Sequence, residues 1–103
     1  MAKLQLKANP TFSASVGVPV AGGEEVPVVM TFKHRTRTEL DEFIKSRPKK
    51  SDVQTFLDMV EGWDLEDEFN EANAKTLLEN YIGAALATFH VYIDQLVQAK
   101  AKN

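Results

Sequence analysis

The chain has 103 residues, 44% hydrophobic and 26% charged, which is ordinary globular composition and enough length for one domain. It has no cysteine, which excludes disulfides, thiol nucleophiles and cysteine zinc sites, and no apolar run approaches the ~20 residues of a membrane span. The net charge of −3 is uneven: residues 1–50 carry nine Lys/Arg against five Asp/Glu, whereas residues 51–103 carry three against ten.

In chain order, Met1 to Lys7 lacks the apolar core of a signal peptide, so a soluble intracellular protein is expected. Lys3 to Lys7 alternates polar and apolar residues, which suits a short strand closed off by Asn9-Pro10. Phe12, Ala14, Val16 and Val18 then alternate with small residues, and Val26, Val28, Met30 and Phe32 do the same. A repeat of two puts each set on one face of a sheet covered on one side. Between the runs, Gly22-Gly23 accepts the positive φ of a tight turn, and Pro19 and Pro27 belong at strand ends or edges.

From Thr36 onward the signals are helical. Thr36 to Glu39 and Ser51 to Gln54 both fit a capping box, followed by Leu40, Phe43 and Ile44 in one case and Val53, Phe56, Leu57 and Val60 in the other. Pro48 separates the two helices. Gly62 falls where a left-handed C-terminal cap would end the second helix, with Trp63 folding back onto Leu57. Asn70 is the expected N-cap of a long final stripe running from Leu77 through Tyr81, Leu86 and Phe89 to Val97, bent near Gly83. The expected class is therefore α+β, an N-terminal antiparallel hairpin or three-stranded sheet packed on a C-terminal bundle of about four helices. One domain spans 1–103, with 1–35 strand-rich, 36–101 helical and 98–103 a frayed tail.

Catalytic chemistry finds no constellation. His34 and His90 lack a second ligand at helical spacing, and Ser13 and Ser15 have no neighbouring base. Gly22-Gly23 is not part of a phosphate-binding loop, and the acidic run Asp64 to Glu68 lacks the central glycine of a calcium loop. No catalytic residue, metal or cofactor is expected. The charges are more informative. Lys33, Arg35, Arg37, Arg47, Lys49 and Lys50 suit a basic face that phosphate would favour, but the acidic second half and the lack of interleaved aromatics weigh against nucleic acid. From Asp58 to Glu71 seven acids occur with no base between them. Such segregation marks either solvated faces or a dipolar surface that attracts a partner or a second copy. Trp63, the sole tryptophan, either closes the core or anchors a partner.

The glycine-turned hairpin leading into Val29 to Leu40 and then Phe43, followed by Val60 to Asp64 and by Leu77-Leu78 with Tyr81, resembles the small phage tail assembly chaperones over about Phe12 to Leu96. Where such proteins often carry proline after Tyr81, this chain has Ile82. The resemblance implies a non-enzymatic protein of the bacterial host cytoplasm that binds the tape-measure protein, keeps it soluble, helps recruit tail-tube subunits and is absent from the virion. It leaves as partner-binding candidates Trp63, Asp64, Glu66, Asp67 and Glu68, and Arg35, Arg37, Arg47, Lys49 and Lys50, with a homo-oligomer through complementary charges as a further possibility. No membrane partner is expected. Two other readings are a structural tail or tail-completion protein of the virion and a small basic-patch nucleic-acid-binding module. The family also implies a longer product made by a ribosomal slip, and Ala101-Lys102-Asn103 can be encoded by a slippery run.

Overall fold

A computed structural model describes residues 3–98, so the expectations for the tail beyond Gln98 and for the coding run at 101–103 lie outside the described residues. The elements are β1 (Thr11–Val18), β2 (Val26–Lys33), α1 (Arg37–Ser46), a 3-10 turn (Arg47–Lys49), α2 (Asp52–Met59), β3 (Val60–Trp63), α3 (Glu71–Asn80) and α4 (Ala84–Val97). The architecture is the α+β arrangement expected from the sequence. A three-stranded antiparallel sheet in the order β1-β2-β3 packs on the helices.

The alternation in the first two strands works as the sequence implies. Phe12 pairs with Phe32, Ala14 with Met30 and Val16 with Val28, so the apolar sets share one face. Val16, Met30 and Phe32 on that face are fully buried under the helices. The turn between the strands is closed by the Gly23 N–H donating to the Val20 carbonyl at 2.9 Å. Gly22, third of the four residues, has φ +75°, a conformation that a Cβ would strain.

The third strand is not where the alternation placed it. Lys3 to Lys7 lies outside the sheet, with Leu4 88% and Leu6 104% exposed. The free edge of β2 is taken instead by Val60–Trp63, which brings the buried Val60 with it. A bulge between Thr31 and Phe32 leaves Glu61 without a partner across the ladder, and Glu61 is exposed. Gly62 is therefore not a helix cap. Val60 already has extended backbone (φ −114°, ψ 137°), so the chain passes from α2 into β3 without a loop. Trp63 stands at the end of β3, where its ring packs against Phe56 and Phe69.

Helix starts follow the sequence closely. At α1 the Thr36 hydroxyl accepts from the Glu39 N–H at 3.2 Å, and Glu39 accepts from the Thr36 N–H at 2.9 Å. That backbone hydrogen bond holds the Glu39 carboxyl below its usual pKa. Ser51 and Asn70 accept from the N–H groups of Gln54 and Asn73 to start α2 and α3. The expected long final helix is broken outright. Tyr81 leaves helical geometry (φ −125°, ψ 88°), and the Ala84 N–H closes a turn on the Tyr81 carbonyl. The break also receives the hairpin loop. A Cβ on Gly83 would stand 3.0 Å from Pro19 Cγ, a contact that glycine avoids.

Two aromatic groups fill the interior. Phe12, Phe32 and Tyr92 form a mutual triad, with Phe32 5.4 Å from each of the other two ring centroids and Phe12 6.0 Å from Tyr92, and Phe43 stands edge-on to Tyr92 at 5.8 Å. Phe56, Trp63 and Phe69 form the second group around β3. Ring pairs of this kind contribute about 0.5–1.5 kcal/mol each beyond their burial. Thr88 is wholly buried without penalty because its hydroxyl donates to the Ala84 carbonyl at 2.8 Å.

Candidate partner-binding surfaces

The fold uses much of the basic cluster internally. Arg35 follows β2 and projects over the Phe43 ring at 4.6 Å. Its guanidinium donates to the Asp58 carbonyl at 2.6 Å and to the Tyr92 hydroxyl at 3.0 Å. The Tyr92 hydroxyl in turn donates to the Lys33 carbonyl at 2.6 Å. Burial raises the Tyr92 phenol above its ordinary 10.0, with Arg35 opposing that rise. Arg47 lies 3.7 Å from the centroid of the Phe89 ring, and Lys50 pairs with Asp58 at 2.7 Å. These three cations are joined to the helices they brace. Arg37, Lys49 and Lys50 are exposed, and of these three only Lys50 has a side-chain hydrogen-bond or ion-pair partner among the described residues. Ring contacts and the Asp58 pair thus engage three of the five cations within the fold.

The acidic loop divides similarly. Asp64 extends the sheet: its N–H donates to the Val29 carbonyl and its carboxylate accepts from the Val29 N–H, both at 3.0 Å. Trp63 donates its indole N–H to the Asp67 carbonyl at 2.8 Å and meets Phe69 edge-on at 4.9 Å. It is half-buried and closes the second aromatic group. Glu66, Asp67 and Glu68 remain, with exposed side chains. The ten candidate residues therefore do not come together as one site.

Two apolar features stand out where the charges do not. The first is the outer face of α4. Ala84, Thr88 and Tyr92 point inward and are fully buried, yet the opposite side carries Leu86, Ile93 and Val97, spaced seven and four residues apart and so on one face. Leu86 is 53% and Val97 63% exposed, and Ile82 just before the helix is 91% exposed. An apolar circumference normally belongs to a helix covered all round. Arg47, drawn over Phe89, borders this face with positive charge. The second feature is a groove of about 340 Å³ between the hairpin end of the sheet and α3, with Val18, Val26, Leu77 and Tyr81 in its lining and Asp67 at its rim.

The sequence shows the α4 residues only as one apolar stripe, because periodicity reports that a face is apolar, not what covers it. The signal available was the stripe's width: apolar residues fall on both sides of α4. Among the described residues no helix is long and apolar enough to cross a membrane, and no group of His, Asp and Glu side chains is placed to hold a metal ion.

A family model described as phage tail assembly chaperone matches residues 1–103, the whole chain. No curated protein and no solved structure matches it.

Proposed function

We propose a function from the chain's family: it belongs to the phage tail assembly chaperones, and its work is to cover the tape-measure protein until the tail tube encloses it. The single observation that carries this reading is the apolar outer face of α4, made by the exposed Leu86 and Val97 with the half-buried Ile93 between them. A long helical protein awaiting its tube exposes apolar stripes of the same 3.6-residue period, and two such faces pack as helix against helix. The reaction is binding and release, with no covalent step, in the cytoplasm of the host.

The size of the face suits a temporary partner. Three partly exposed aliphatic side chains contribute a few kcal/mol on burial at ~25 cal/mol per Å², less the cost of association. That is well short of the ~8 kcal/mol of a micromolar complex, so this face alone holds its partner weakly enough for tube subunits to displace the chaperone as they polymerise along the tape measure. Displacement leaves the chaperone out of the virion. The charges left without partners, Glu66, Asp67 and Glu68 on one side and Arg37 and Lys49 on the other, suit steering of tail-tube subunits rather than tight holding.

The test is co-expression with the tape-measure protein. The native chain is expected to keep that protein in the soluble fraction and to co-purify with it, and to be missing from purified particles. Leu86→Asp with Val97→Asp is expected to abolish both solubilisation and co-purification while leaving the circular dichroism spectrum unchanged. Stoichiometric incorporation into virions, or unimpaired binding by the double variant, would overturn the reading.

A further inference from the structure

The groove beside α3 and the stretch Lys3 to Lys7 have complementary chemistry, and neither is used by the α4 face. In Lys3 to Lys7 two leucines stand two residues apart, a spacing that sets them on one side of the segment, about 6.6–6.8 Å from each other, once it is drawn out as a strand. Both are almost wholly exposed, and a lysine flanks them at each end. An apolar pair held in water beside the sheet it failed to join is unusual for a small globular chain.

The groove offers the reverse. Val18, Val26, Val28, Leu77 and Tyr81 supply apolar lining, and Val26 is still 51% exposed there. One wall carries Asn73, Thr76 and Asn80. Each of these directs a donor to a main-chain carbonyl (Glu68, Ala72 and Thr76 respectively), and each retains acceptor oxygen for peptide N–H groups. Asp67 stands at the rim with Glu66 and Glu68 next to it in an exposed run, opposite in sign to Lys3 and Lys7. An extended basic peptide with alternate leucines meets apolar lining, acceptors and anions in one place.

The segment does not occupy its own groove: Leu4 and Leu6 stand 88% and 104% exposed. Pro10 is pinned by the His34 N–H, which donates to its carbonyl at 2.9 Å, and the lining residue Val18 lies eight residues along β1, roughly 26 Å away. From Pro10, full extension carries Leu6 at most ~14 Å, so the leucine pair does not reach the hairpin end of its own groove. A second copy is the occupant that meets all of the lining.

We infer that Lys3 to Lys7 of one copy docks as an extended segment in the acid-rimmed groove between the hairpin and α3 of a second copy. The contact is heterologous: the donor's groove stays open and the acceptor's segment stays free, so association continues copy by copy unless the geometry closes a ring. This inference stands independently of tape-measure binding, since Leu86, Ile93 and Val97 do not line the groove.

The experiment is sedimentation of the full chain over a wide concentration range, alone and in mixtures. The native chain is expected to show concentration-dependent species larger than a dimer, weakened roughly tenfold or more when salt is raised well above physiological strength. Leu4→Asp with Leu6→Asp removes the donor, and Val26→Arg blocks the acceptor. Both sets of side chains are exposed, and unchanged circular dichroism is the check that the fold survives. Each variant alone is expected to be monomeric. Mixed, they are expected to give dimers and nothing larger, because one keeps a working groove and the other a working segment. A native chain that stays monomeric, a donor variant that still self-associates, or a mixture that forms no dimer would each overturn the inference.

Discussion

Along α4, Tyr92 is completely covered by the sheet and α1, while Leu86 and Val97 on the same helix stand more than half exposed. Both faces are apolar, so composition does not separate them. What separates them is specificity of contact. Tyr92 has a ring on three sides and both hydrogen-bonding capacities of its hydroxyl used. The outer residues have no polar anchor and no complementary surface within the described fold. The inner face fixes one structure, and the outer face is suited to a partner that comes and goes.

The contrast can be broken most severely from the inside. Phe32→Ala removes one ring of the Phe12–Phe32–Tyr92 triad from a site with no exposure, and is expected to cost ~3–5 kcal/mol in denaturant titration. That is a large share of the stability of a domain this size. A loss below ~1 kcal/mol would show that the stack is not what holds α4 to the sheet.

Tyr92→Phe keeps the ring and removes only the hydroxyl between Arg35 and the Lys33 carbonyl, with an expected loss of about 1–2 kcal/mol. It should also change the response to alkali. Burial raises the Tyr92 phenol in the folded chain above 10.0, whereas in the unfolded chain it ionises near that value. Between the two values the folded state holds the extra proton. The contribution of Tyr92 is therefore complete below about pH 10 and is lost as pH rises through the folded value. Stability measured against pH above 10 should fall less steeply for Tyr92→Phe than for the native chain. Equal slopes would remove Tyr92 as the cause.

The smallest effect belongs to the outer face. Leu86→Asp with Val97→Asp is expected to leave folding stability within about 0.5 kcal/mol in the same titration, while the proposed tape-measure binding is expected to be lost. A loss comparable to that of Phe32→Ala would mean that the two faces do not differ in kind.

Much of this fold was legible in the sequence because it is written in local patterns. The alternation of Phe12 to Val18 with Val26 to Phe32, and the caps at Thr36, Ser51 and Asn70, involve residues within a few positions of one another. What was not legible depended on competition between distant segments. Lys3 to Lys7 and Val60 to Trp63 were both available to the sheet, and the second wins the β2 edge, carrying Val60 into the core and letting Asp64 bond twice to Val29. The break at Tyr81 was hidden because apolar residues continue in phase across it, and the Pro19 contact it makes at Gly83 joins residues over sixty positions apart. The candidate charges suffered from the same limit: nothing adjacent to Arg35 or Arg47 announces that aromatic rings will hold them. The apolar surfaces were visible as residues and invisible as surfaces.

The placement of Trp63 gives the molecule its own optical reporter. As the only tryptophan, it supplies the long-wavelength emission of the chain, and it lies in the lining of the groove beside α3. Its ring is half-buried with the indole N–H held by the Asp67 carbonyl, so its surroundings are intermediate between water and protein. A segment seated in the groove displaces water beside the indole and moves emission toward the blue. A helix laid across Leu86 and Val97, which do not line that groove, leaves the emission where it was. The colour of one side chain thus tells which of the two surfaces a bound protein occupies, without any label being attached.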